Sequence, residues 1–181
     1  MSSLSRLKLF HLLHLSKPAA DRLIYQEIHR RQPRKIVEVG LGAAGRSLRM
    51  LALAAEFHPS QEIQFTAIDL FEGRPDGSGM SLRDAHRTLK ATGARIQLVP
   101  GDPHQGLARI ANALGKVDLL VFSPVADAEQ LAQAWFYVPR LLHDGSLVLL
   151  QGISANGQLS TRPVEHVQIH RFATPAQRRA A

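Results

Sequence analysis

Glu38, Gly40, Gly42, Gly45 and Asp69 are the residues of this sequence whose types and spacing best suit ligand chemistry. The three glycines sit in Val37-Glu38-Val39-Gly40-Leu41-Gly42-Ala43-Ala44-Gly45-Arg46-Ser47, a Gly-x-Gly-x-x-Gly string. Glycine lets a chain turn tightly and lets a ligand lie against bare backbone, and a helix opening just beyond offers unsatisfied N–H donors. By itself the string is weak evidence; a strand before it and a helix after it make it a ligand-site signal. Asp69 closes a second apolar run, where a carboxylate can accept hydrogen bonds from both hydroxyls of a ribose. Glu38, two residues before the first glycine, would repel a pyrophosphate and attract a cationic ligand. The competing reading is that Glu38 pairs locally with an arginine such as Arg46, because a carboxylate at a strand end seldom lacks a structural partner.

These residues need a scaffold, and the hydrophobic pattern predicts one. KIVEV (35–39), IQFTAID (63–69), RIQLV (95–99), VDLLVF (117–122) and SLVLLQ (146–151) read as strands. Helical spacing is predicted near 45–57, 79–91, 104–114 and 127–142, with an amphipathic helix within the first fifteen residues and another over 18–31, opened by Ser16 and Pro18. Strands alternating with helices imply right-handed crossovers and a buried parallel sheet. The fold class expected is therefore α/β: a doubly wound, Rossmann-like, mostly parallel sheet in the order 3-2-1-4-5. VEHVQIHRF (164–172) is expected to add one antiparallel C-terminal strand beside the fifth. The division expected is a single domain over 1–181, with an N-terminal helical segment (1–32), a cofactor-binding core (33–151), a loop and terminal strand (152–172) and a tail (173–181).

In that setting the glycine turn and Asp69 suit an adenosine-containing cofactor, and Glu38 favours S-adenosylmethionine over NAD because the former carries an ammonium and a sulfonium. The runs VEVGLGAAG, FTAIDLFEG, VPGDPHQGL and PRLLHDGSLVLL resemble, in order and spacing over about residues 33–151, the successive motifs of class I S-adenosylmethionine-dependent methyltransferases, nearest to small O-methyltransferase-like members. The resemblance implies that Glu38, Gly40, Gly42 and Gly45 face the methionine part of the cofactor, that Asp69 holds the ribose and that Asp102 lies near the adenine. It implies methyl transfer, to oxygen first, on a small-molecule acceptor. Two alternatives stay open: a catalytically degenerate S-adenosylmethionine-binding or interaction module, and an NAD(P)-dependent oxidoreductase.

The chain departs from the family where chemistry is expected. Metal-dependent relatives place acidic or amide ligands at the ends of the fourth and fifth strands; here those ends carry Ser123 and Gln151. With only Asp127 nearby, this is a poor set for a hard divalent cation, and no metal is expected. Related domains also carry seven strands, so this sheet is expected to be truncated, with an exposed edge that a second copy could cover. His11 with His14 and His166 with His170 share faces by spacing but have no third ligand nearby in sequence. His104, following Asp102, is the weak candidate for a general base, since neutral imidazole suits removal of a hydroxyl proton. An ordinary polar role in the first turn of a helix is its stronger reading.

The +7 formal charge belongs to the flanks: residues 1–35 carry +6, residues 162–181 carry +3, and residues 36–161 carry −2. With 6% aromatic residues, this is not the clustered basic, stacking surface that nucleic acid requires. No cysteine is present, which rules out thiol chemistry and is compatible with a cytoplasmic setting. The apolar first fifteen residues are interrupted by Arg6, Lys8, His11 and His14 and are too short to span a bilayer, so no membrane association is expected.

Overall fold

Six strands form one sheet, in a computed structural model that describes residues 4–59, 61–124, 128–154 and 156–174. Lys35–Val39 (β1), Gln64–Asp69 (β2), Arg95–Pro100 (β3), Val117–Phe122 (β4) and Leu142–Ile153 (β5) run parallel. Leu159–Pro163 (β6) returns antiparallel to β5, and the sheet order is β3-β2-β1-β4-β5-β6. The chain reverses direction across the sheet at β1, so the carboxyl ends of β1 and β4 diverge into the crevice where open α/β sheets take ligands.

Alternation along the strands divides the core into two layers. Ile36, Phe65, Ala67, Leu119, Val121, Leu147 and Leu149 pack against one helical layer. That layer comprises Arg6–Phe10 (α1), which continues as a π-helical turn over His11–Leu15, then Asp21–Arg31 (α2), Gly45–Phe57 (α3) and Leu82–Lys90 (α4). Val37, Val39, Ile68, Leu120, Phe122 and Val148 face the other layer, built from Pro103–Ile110 (α5), Ala128–Ala134 (α6), Val138–Leu141 (α7) and His166–Ala173 (α8). Glu38 falls between Val37 and Val39, so its side chain shares the face of Ile36 and is directed beneath α3. Among the described residues no helix is long and apolar enough to cross a membrane.

The C-terminal strand is not where the sequence places it. Residues 164–172 form most of α8, and the antiparallel strand is β6, within the segment read as a loop. Strand alternation over 164–172 would leave neither face apolar, whereas the helix buries Ile169 and brings Phe172 within 5.2 Å of the Trp135 ring. β6 ends at Pro163, tolerable on an edge strand. Ser16 also fails as a helix cap: α2 begins at Asp21, and the buried Ser16 hydroxyl has no hydrogen-bond partner among the described residues. The predicted 127–142 helix is interrupted by a tighter turn at Trp135–Tyr137, and β5 begins at Leu142, earlier than its apolar run.

Candidate functional site

The carboxyl ends of β1, β2 and β3 meet the amino ends of α3 and α5 around the glycine turn. Gly40 has φ +90 and donates its N–H to the Ile68 carbonyl at 2.8 Å, tying the turn to β2. A Cβ at Gly40 would stand 2.7 Å from Cβ of Ser123, so this position admits no side chain. Gly42 has φ +59 with open space around it, and Gly45 is the first residue of α3.

Glu38 does not face a ligand. Its side chain is fully buried: Arg46 donates to Oε1 from Nε at 2.8 Å and from Nη2, and Ser47 Oγ donates to Oε2 at 2.5 Å. Burial pushes the Glu38 carboxyl above its ordinary range, with Arg46 and Ser47 pulling against it. Arg46 sits in a socket at the ends of β1, β4 and β5. It donates further to the Gly40 carbonyl at 3.2 Å, to Ser123 Oγ at 2.5 Å and to Gln151 Oε1, and its Nη1 lies 3.9 Å from Asp21 Oδ1. Gln151 in turn donates to Asp21 at 3.0 Å. The Glu38 charge, expected to serve a cationic cofactor, is met here by Arg46, the local pairing that was the competing reading. A carboxylate withdrawn from water at the end of a central strand takes an internal partner, and Arg46, in the first turn of α3, is that partner. Ser123 and Gln151, the positions weighed as metal ligands, are both engaged by the same guanidinium. Asp127 lies outside the described residues.

Asp69 closes β2 and is also buried. Its Oδ1 accepts from Phe71 N at 2.9 Å and Arg74 Nε at 3.1 Å; its Oδ2 accepts from Gly42 N at 3.1 Å and Arg74 Nη2 at 2.7 Å. Burial alone would raise its pKa, but Arg74 and the two backbone N–H donors outweigh it and hold the carboxyl below its ordinary range. Asp102 caps α5, accepting from Gln105 N at 2.9 Å. Asp69 and Asp102 border one cavity of about 470 Å³, whose walls include Val39, Gly40, Ile68, Arg74, Pro103 and Pro124. A second hollow of about 560 Å³, beside Gln64 and Arg95, lies at the opposite, amino-terminal end of the strands.

The structure thus brings Gly40, Asp69 and Asp102 to one cavity, keeps Gly42 in contact with Asp69, and puts Glu38 behind the turn. His104 lies in the first turn of α5 and packs at a tilt against Tyr137, with ring centroids 5.4 Å apart. Sequence reasoning missed Arg74 and Asp21; a basic residue five positions beyond a strand-end acid was the available signal for the first. The cavity pairs a strand-end carboxylate at Asp69 with a second acid, Asp102, and apolar walls at Val39, Ile68, Pro103 and Pro124, a lining whose chemistry suits a nucleoside. Behind the glycine turn the Glu38 carboxylate and the Gly40 carbonyl are occupied by Arg46.

No family model and no curated protein matches this chain. Solved structures do. The chain is similar to an O-methyltransferase of Bacillus cereus solved with S-adenosylhomocysteine, at 14% identity over 80% of this chain and 60% of that one, with a TM-score of 0.59. It is similar to the O-methyltransferase TomG of Streptomyces achromogenes, involved in tomaymycin synthesis and solved with S-adenosylmethionine, at 17% identity over 80% and 60% with a TM-score of 0.56. A precorrin-6y C5,15-methyltransferase of Geobacter metallireducens matches at 15% identity over 86% and 69%, TM-score 0.53. The chain spans about 60% of the length of the two O-methyltransferases. At these identities the likeness is one of architecture, and the chain has the Rossmann-like fold of the S-adenosylmethionine-dependent methyltransferases.

Proposed function

We propose that this chain binds S-adenosylmethionine by its adenosyl end in the cavity between Asp69 and Asp102 and methylates a small-molecule acceptor, at oxygen first. The observation that supports this most is the position of that cavity, at the carboxyl ends of β1, β2 and β3 and bordered by both acids and Gly40. When bound, the cofactor supplies an electrophilic methyl group. Asp69 would accept from the ribose hydroxyls once Arg74, its side-chain partner, gives way; the side chain of Arg74 is 31% exposed. Val39, Ile68, Pro103 and Pro124 exclude water from the base. His104 is kept as the residue to test as a base.

A second reading, a nucleoside-binding module without turnover, is favoured by Arg46, which fills the space between the ends of β1, β4 and β5. Parallel calorimetric titration with S-adenosylhomocysteine and NADH tests the cofactor: binding of the first alone is expected, and binding of NADH alone refutes the reading. Transfer of labelled methyl to a panel of hydroxyl acceptors then separates enzyme from module.

A further inference from the structure

We propose that Arg46 is a resident occupant of the subsite for the ligand's amino-acid end, so that this chain recognises the adenosine portion of its ligand and is indifferent to the tail. The inference rests on the proposed adenosyl site. Three observations carry it. First, Asp102, Pro103, Asp69, Gly40 and Pro124 border one cavity, and neither Glu38 nor Arg46 is among the residues that border it. Second, among the described residues, the Glu38 carboxylate, the Gly40 carbonyl and the Ser123 hydroxyl, acceptors behind the glycine turn that suit an ammonium, all accept hydrogen bonds from the one guanidinium. Third, the two arginines facing the two strand-end acids differ in how firmly they are held. Arg74 lies on the 70–80 loop with its side chain 31% exposed, whereas Arg46 is 13% exposed and bonded to four residues, and its departure would strand a fully buried carboxylate.

A ligand therefore displaces Arg74 readily and Arg46 only at the expense of Glu38. The chain supplies from its own helix the cation that a zwitterionic tail would otherwise bring.

Calorimetry on the wild-type chain with S-adenosylhomocysteine and with 5′-methylthioadenosine, the same nucleoside without the amino-acid group, tests this. The two dissociation constants are expected to agree within about threefold. A recognised tail makes charge-assisted hydrogen bonds, each worth about tenfold or more in affinity. S-adenosylhomocysteine binding tenfold tighter than 5′-methylthioadenosine overturns the inference while leaving the adenosyl site standing. Failure of both nucleosides to bind overturns the adenosyl site and the inference with it. The variant Arg46→Gln should restore tail recognition, tightening S-adenosylhomocysteine at least tenfold relative to 5′-methylthioadenosine. If that variant does not fold, the wild-type comparison of the two nucleosides decides alone; an unchanged ratio in the folded variant counts against the proposal.

Discussion

Removing the Arg46 guanidinium while leaving its carboxylate in place tests the electrostatics at the centre of this fold. Glu38 is fully buried and accepts from Arg46 Nε, Arg46 Nη2 and Ser47 Oγ. Arg46→Met keeps most of the apolar stem and deletes two of those three bonds together with the compensating charge. An unpaired buried charge costs about 3–5 kcal/mol, and for a chain of this size each kcal/mol lowers Tm by about 2–4 °C, so a fall of roughly 6–20 °C is expected. Urea unfolding at neutral pH measures the free energy directly. Glu38→Gln combined with Arg46→Met should recover a substantial part of the loss, because the amide needs no counter-charge; a coupling of at least about 2 kcal/mol is expected between the two positions. The pH dependence has a fixed sign. Burial already raises the Glu38 pKa against the pull of Arg46, and removing Arg46 raises it further. A carboxyl whose folded pKa lies above its unfolded one binds more protons when folded, so stability falls as pH rises through that window. The deficit of Arg46→Met should therefore shrink as pH is lowered toward the ordinary glutamate value of about 4.3 and be complete above the folded pKa. A variant within 1 kcal/mol of wild type at neutral pH would refute the account of a buried, interdependent pair.

Other positions carry smaller predictions. Asp69 has a depressed pKa, so its contribution is present above the unfolded aspartate value and lost as pH falls through the folded one; acid titration of unfolding should show this limb in wild type and not in Asp69→Asn. Gly40→Ala meets Ser123 at 2.7 Å with φ +90 and should cost about 2–5 kcal/mol, against about 1–2 kcal/mol for Gly42→Ala, where φ is +59 and space is open; thermal melts of the two variants make the comparison. Asp102→Ala removes the side-chain cap on α5 and should cost about 0.5–2 kcal/mol by urea unfolding.

The parallel sheet was legible because five apolar runs alternate with helical spacing. The C-terminal element was not. Leu159–Pro163 holds one large apolar residue and has no strand signal of its own; it pairs because β5 extends to Ile153 and offers an open edge. Residues 164–172 hold β-branched residues suited to either state, and burial of Ile169 with the Trp135–Phe172 stack decides for helix. In the site, the glycines were legible from steric need, and Asp69 and Asp102 from their places after strands. The Glu38–Arg46 pair was legible only as one of two readings, because a sequence shows that a buried acid needs a cation without showing whether the cation comes from a ligand or from the chain. Arg46 satisfies that need by lying eight residues away, at the first turn of a helix that must cross over the strand end.

The same ambiguity attends Asp69, and there it resolves by exchange. Arg74 is bidentate on the buried Asp69 but part-exposed itself, and the carboxylate keeps the Phe71 and Gly42 N–H donors without it, so the pair contributes about 1 kcal/mol, the upper end for surface pairs. If Asp69 receives the ribose, Arg74 is a competitor, and Arg74→Gln should leave Tm nearly unchanged while tightening adenosine up to about fivefold, the whole worth of the pair. If Arg74 itself holds the ligand, the same variant weakens binding. Loss of affinity in Arg74→Gln would therefore transfer the recognition role from the carboxylate to the arginine, and an anionic ligand group would have to take the place assigned to the ribose hydroxyls. Unchanged affinity would put both residues outside the contact, because a bidentate guanidinium cannot vacate an acceptor that a ligand uses without altering the ligand's free energy of binding.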